Sequence, residues 1–258
     1  MALVIGTNMA SLNAQRHLTG SQAKSATAME RLSTGLRINT GQDDGAGLAI
    51  GSKMGATIRG LNQAVRNAND GVSMAKAGDG ALGELSNMLD RMRELATEQK
   101  DGALSTADLA NVSTEMNALG SQMTNIISNA KFNGKNLLTS LTASFQVGEA
   151  STDTYAFNVS AVAVTLNSAS GITAIETAID AVSAARASFG SAMTALQARA
   201  SNTATLAENL TAARGQIMDA DIAQETANMT KANVLQQAGI AVLAQANQAP
   251  NMVLSLLR

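Results

Sequence analysis

The sequence predicts a mainly α protein: long antiparallel helices packed in coiled-coil fashion into an elongated rod, with one small β-hairpin. Three features carry this reading. The 258-residue chain has one proline, Pro250, so almost nothing interrupts long helices. Aromatics are 2% of residues against 45% hydrophobic, so the apolar material is Ala, Leu, Ile, Val and Met, which suits helix-on-helix packing better than a wide core. Apolar residues also recur at 3-4 spacing along most of the chain.

The first helical run spans about residues 6 to 38. The second spans about 47 to 100, with a seam of Ile58, Leu61, Val65, Ala68, Val72 and Ala75. Its phase slips near Gly78-Asp79-Gly80 and resumes at Leu82, Leu85, Leu89, Met92 and Ala96. The third run begins at the capping signal Ser105-Thr106-Ala107-Asp108 and continues through Leu109, Val112, Met116, Leu119, Met123 and Ile126. The short turn Lys100-Asp101-Gly102 before it makes the second and third runs antiparallel neighbours.

The period then changes. Phe132-Asn133-Gly134 ends the helix. Ser144 to Gly148 and Tyr155 to Val159 alternate with period two, which predicts a β-hairpin at about 144–160. Val162 to Leu166 reads as an edge strand or a loop. From Ile172 to Ile217 a heptad grid holds Ile175, Ile179, Val182, Phe189, Met193 and Leu196, with Arg186 and Arg214 as polar exceptions. That is about 43 residues of helix, roughly 65 Å.

The two ends differ from the rod. On a helical wheel Ile222, Met229 and Ile240 share one side, Leu235 and Val242 lie nearly opposite, and Leu243 lies between. The first run is similar, with Ile5 and Leu12 on one side and Leu32 on another. Two helices cannot bury such surface on each other alone, so further copies of the chain are the expected partner. An intramolecular bundle that covers the termini is the alternative, and it would be monomeric at any concentration.

Other functions find little support. The net charge is −2 and no Lys/Arg-dense block occurs, so nucleic-acid binding is not expected. Cysteine is absent, which removes disulfides and Cys-ligated metal. The start, MALVIGTNMASLNAQRH, lacks a basic region followed by an apolar core, so no cleaved signal peptide is expected. The C-terminal stretch is long enough for a bilayer, but its amides would be costly in hydrocarbon, so no membrane span is expected.

No catalytic residues, cofactor site or metal site emerge, and the chain reads as a non-enzyme. His17, the sole histidine, reads as a packing or polar-face residue. Gly41, Gly45 and Gly47 lack the preceding strand of a phosphate loop, and Asp43 with Asp44 is a weak cation signal. Asp219 and Asp221 read as an N-cap or solvated turn, and Arg91, Arg93 and Glu94 as surface ion pairs or a binding surface.

Several ordered motifs resemble bacterial flagellin across essentially the whole chain. They are ERLSTGLRINTGQDDGAGLAI (30–50), RNANDGVSMAKAGDGAL (66–82), LDRMREL (89–95), KFNGKNLL (131–138), FQVG (145–148) and the closing ANVLQQAGIAVLAQANQAPNMVLSLLR. The resemblance implies an inner coiled-coil domain of residues 1–44 with 216–258 and a helical rod domain of 45–215 carrying the hairpin. It implies a minimal form without outer domains, since residues 160–171 alone separate the hairpin from the fourth helix. The implied function is self-assembly into the extracellular flagellar filament for swimming, after unfolded export through the flagellar type III system.

The partners implied are further copies of the chain, an export chaperone, the filament cap and hook-associated proteins, and the flagellin-sensing Toll-like receptor. The self-assembly residues are Ile5, Leu12, Leu32, Ile222, Met229, Leu235, Ile240, Val242, Leu243 and Leu256. By motif, the receptor contacts would be Arg91, Leu95, Val112 and Glu115, while Asp90 and Glu98 stand where Gln is common in the family. Gln236, Gln245 and Gln248 would face the filament lumen or bond between subunits. The glycines of 41–51 predict a flexible joint between the two domains. Rival readings are a hook–filament junction protein of the same superfamily and, in another class, a membrane-active amphipathic helical protein.

Overall fold

A computed structural model describes the backbone of residues 7–256 and the side chains of residues 7–248. Its elements are α1 (Met9–Thr34), α2 (Gly41–Glu98), α3 (Thr106–Asn129), β1 (Lys131–Phe132), β2 (Lys135–Asn136), β3 (Leu141–Gln146), β4 (Thr154–Val159), α4 (Ile172–Met218) and α5 (Ile222–Leu256). They form two compact units: residues through Gly55 together with those from Leu210 onward, and Ala56–Asn209.

In the first unit α1 packs against α5. The first helix is shorter than the expected 6–38. Asn8 caps its start, accepting from the Ser11 N–H at 3.1 Å. Gly35 ends it in the left-handed conformation, φ 71°, with its N–H on the Arg31 carbonyl at 2.9 Å. The chain after α1 is stitched to the break between α4 and α5. Arg37 N–H donates to the Met218 carbonyl at 2.7 Å, and Ala220 N–H donates to the Gly35 carbonyl at 2.9 Å. The Arg37 guanidinium adds a bond to the Ile217 carbonyl at 2.6 Å, satisfying an acceptor at the end of α4.

Asp44 is extended within α2, at φ −164° and ψ 100°, and its Oδ1 accepts from the Gly47 N–H at 2.9 Å. It therefore acts as the N-cap of the long helix that follows. Asp43 accepts from the Asn39 and Thr40 backbone amides and from the Thr40 hydroxyl. Two of the nearby glycines have a packing reason. A Cβ on Gly47 would lie 2.7 Å from Ile38 Cδ1, and one on Gly51 would lie 2.5 Å from Met218 sulfur. Arg214, a polar exception on the heptad grid, reaches the Gly51 carbonyl at 3.2 Å.

The second unit packs α2, α3 and α4 around a core that includes Leu82, Leu85, Leu89, Met92, Met116, Met123, Ile175, Val182 and Phe189. The α2 helix is continuous through 78–80, and the phase slip there has a cause. A Cβ on Gly78 would lie 2.4 Å from the ring of Phe189, so glycine makes room for the one aromatic of α4. Phe189 in turn meets Phe157 of β4 edge-on, with centroids 5.1 Å apart. Arg186, the other exception on the grid, pairs with Asp79 at 3.0 Å.

The expected capping box at the start of α3 is present, built by Ser105 and Asp108. The hairpin β3–β4 pairs antiparallel from Leu141↔Val159 to Gln146↔Thr154. Its inward residues Leu141, Ala143, Phe157 and Val159 join the core. Its tip is tied to the helices by Asn67 Nδ2 on the Gln146 carbonyl at 3.0 Å and by Thr203 Oγ1 on the Val147 carbonyl at 3.1 Å. Residues 162–166 form no strand but bury Val162 and Val164. A second ribbon, β1–β2, was not expected. It turns at Asn133 and Gly134, both at positive φ of 46° and 80°, the geometry that Asn-Gly favours.

Candidate functional site

The paired α1 and α5 are the first candidate surface. Their contact uses small residues: Ser11, Ala14, Ser25, Ala28, Ala232 and Ala246 are all buried. Many of the large apolar side chains lie outside this contact. Met9, Leu12, Met29, Ile222, Val234, Leu235, Ile240 and Val242 are all exposed, from 47% at Leu12 to 60% at Met9. Leu32, Met229 and Leu243 are half-buried. Ile5 and the Leu256 side chain lie outside the described residues.

Among the expected polar residues, Gln236 is half-buried, and Gln245 and Gln248 are exposed. A groove of about 450 Å³ runs between α1 and α5, lined by Ser21, Lys24, Thr27, Asn228, Lys231 and Leu235 among others. Among the described residues, no helix is long and apolar enough to cross a membrane.

Polar bonds that the sequence reading did not identify cross this helix pair. Arg31 pairs with the buried Glu225 at 3.0 Å and approaches Asp43 at 3.8 Å. Ser25 donates to Asn233 Oδ1 at 3.1 Å, and Asn8 Nδ2 donates to the Ala246 carbonyl at 2.8 Å. The hydrogen bonds from Thr40 and Asn39, aided by Arg31, hold the Asp43 carboxyl below its ordinary range. Asp221 caps α5, accepting from the Ala223 and Gln224 amides.

The second candidate surface lies on the Ala56–Asn209 unit. Arg91 donates through Nε to Glu115 at 2.9 Å and through Nη1 to Glu94 at 3.0 Å, so one guanidinium joins α2 to α3. These two carboxylates raise the Arg91 pKa further, Glu115 most. Arg93 pairs with Glu176 of α4 at 3.4 Å. The four expected receptor contacts divide into two kinds. Arg91 and Glu115 are exposed. Leu95 is 1% exposed and Val112 is 8% exposed, both within the three-helix core, so neither offers its side chain to a partner in this conformation. Leu95 lies three residues after Met92 on the buried stripe of α2, and Val112 lies on the buried stripe of α3.

The paired helical ends thus leave apolar side chains exposed, beside a three-helix body with a hairpin, and sequence relatives say what kind of protein carries them. The chain matches the bacterial flagellin N-terminal helical region over residues 5–143 and the C-terminal helical region over residues 172–257. It is 39% identical to a flagellin of Halalkalibacterium halodurans, covering 99% of this chain and 100% of that one. It is 35% identical to a flagellin of Bacillus subtilis, covering 98% and 99% respectively. It is also 35% identical to the flagellar filament 33 kDa core protein of Treponema phagedenis, covering 99% and 100%. A crystal structure of Bacillus cereus flagellin aligns with 54% of this chain and 88% of its own, at 30% identity and a TM-score of 0.48. The chain belongs to the bacterial flagellin family and is a structural subunit of the flagellar filament.

Proposed function

We propose that residues 1–44 with 216–258 form the inner domain of the filament and residues 45–215 its rod domain, and that the α1·α5 surface is where neighbouring subunits meet. The observation that carries this is the apolar surface left on α5 after α1 has paired with it: Ile222, Val234, Leu235, Ile240 and Val242 are all about half exposed or more. Burying a Val, Leu, Ile or Met side chain fully stabilises an assembly by roughly 1.5–3 kcal/mol. Neighbouring copies are the occupants that supply that burial here.

The exposed Gln245 and Gln248 and the half-buried Gln236 are proposed to line the filament lumen or bond between subunits, giving a wall that is polar but uncharged. Unfolded subunits then travel through the export channel along it. An export chaperone guards α5 beforehand, and the cap and hook-associated proteins act at the filament ends. The same reading makes the Arg91–Glu115 pair a contact for the flagellin-sensing Toll-like receptor, with Leu95 and Val112 setting its position from beneath.

The central test is removal of residues 235–258. The truncated protein is expected to keep the fold of the Ala56–Asn209 unit, read by cooperative unfolding, and to form no filaments in precipitant. Normal filaments from the truncated protein would sink the assignment of the interface. Filaments of Gln245→Lys are expected to grow more slowly than the parent, and unchanged growth rate removes the proposed role of the wall.

A further inference from the structure

An antiparallel helix pair joined through Ala14, Ala28, Ala232 and Ala246 has little in its side-chain shapes to fix one register. Among the described residues, three polar bonds cross it: Arg31 to Glu225, Ser25 to Asn233, and Asn8 to the Ala246 carbonyl. The last differs in kind, because it joins a side chain to a backbone acceptor inside a helix. That acceptor is normally taken by the N–H four residues on. Here that residue is Pro250, which has no N–H, and α5 continues past it to Leu256. The Ala246 carbonyl therefore lacks its usual donor by covalent chemistry, at a residue only 9% exposed. A buried acceptor without a donor is costly.

Asn8 supplies the donor. Its carboxamide is used at both ends: Oδ1 accepts from Ser11 N–H at 3.1 Å, capping α1, and Nδ2 donates to the Ala246 carbonyl at 2.8 Å. The orientation is forced, since an N–H can only donate and a carbonyl can only accept.

We propose that Asn8 and Pro250 act together as a register lock: the proline opens one carbonyl on α5, and the cap residue of α1 closes it. Every other carbonyl in the interior of a regular helix is occupied by its own helix. A slip of α1 by one turn would bring Asn8 to a carbonyl that already accepts from its own helix and leave the Ala246 carbonyl without a donor. Asn8 is in this sense a positioning residue for the pairing of the chain ends. The proposal rests on the filament-subunit reading for where the lock matters, while the bond itself can be read without it.

The test combines Asn8→Ser and Pro250→Ala in the full chain. Serine keeps the cap on α1 but is too short to reach Ala246. Alanine at 250 returns the missing N–H, so the acceptor is filled from within α5. Hydrogen exchange of the amides of residues 12–16 is followed in filaments and in monomer. Asn8→Ser alone is expected to speed exchange about five-fold, the worth of one hydrogen bond. In the Pro250→Ala background the same change is expected to have little effect. An equal effect in both backgrounds, or none in either, overturns the lock. A chain that protects residues 12–16 but never polymerises sinks the filament reading alone. One that does neither overturns both.

Discussion

Ser105 and Asp108 each accept a backbone amide from the other's residue, and a hydroxyl–carboxylate bond of 2.6 Å closes the box. The Ser105 hydroxyl and then its amide hold the Asp108 carboxyl below its ordinary 3.8. A depressed folded value means that the carboxylate stabilises the cap above the unfolded pKa of about 3.9, and that this is lost as pH falls through the lower folded value. Exchange at the first turn of α3, corrected for intrinsic rate, should therefore quicken below about pH 4. Asp108→Asn should show fast exchange at pH 6 already and little further change in acid. Asp43 carries the same sign, with Thr40 as the main cause.

Leu95 and Arg91 make a second contrast between residues. Leu95→Ala removes a side chain that is 1% exposed, so it should cost about 2–5 kcal/mol in a urea titration. Arg91→Ala removes two exposed ion pairs, which solvent screens, and should leave the urea midpoint nearly unchanged. If the receptor contact is as proposed, Arg91→Ala lowers receptor binding with the melt nearly unchanged. Leu95→Ala lowers binding only as far as it loosens the three-helix core.

At the level of elements, two nearby glycines of α2 should respond in opposite directions. Gly78→Ala forces a methyl into the ring of Phe189, which is fully buried and held by Phe157. Overpacking of that kind typically costs about 1–3 kcal/mol, more than alanine's helix propensity returns. Gly80→Ala meets nothing within 4 Å and should stabilise by up to about 1 kcal/mol. Thermal melts of the two variants would check the signs, and Phe189→Leu should relieve the first.

These elements also show what the sequence could and could not carry. The helical stripes of α2, α3 and α4 were legible because their 3-4 spacing persists over many turns, and the capping box because its chemistry is local. The β1–β2 ribbon was missed because strands of two residues have no period, although Asn133-Gly134 was a signal for it. Leu95 and Val112 were readable as core from their place on the buried stripes; motif resemblance pointed outward instead. Ser25, Asn233 and Glu225 were not readable at all. A polar residue's burial depends on a partner some 200 positions away, which no local pattern records.

For the whole molecule, the main expectation is that stability and assembly separate. The core of the Ala56–Asn209 unit lies among its own helices, while the α1·α5 pair leaves much of its apolar surface uncovered. Charged replacements on that surface, such as Val242→Asp or Ile240→Asp, should abolish polymerisation. The unfolding midpoint of the monomer should stay within about 0.5 kcal/mol of the parent, as for surface changes elsewhere. A variant that still forms filaments at the parent's rate would place the interface elsewhere.

The bond from Asn8 to Ala246 joins residues 238 apart in a chain of 258. Contacts of such separation form last when loop closure governs the order of events. The hairpin and the α2–α3 turn are neighbours in sequence and close early. Sealing the two ends is then the final step of maturation, and on the way out it is the first seam to open. Pulsed exchange during refolding should find residues 82–126 protected before residues 12–28. With the α1·α5 surface as the proposed interface, a chain that folds in this order completes its centre before that interface exists, and folding itself then times the moment at which one molecule can join another.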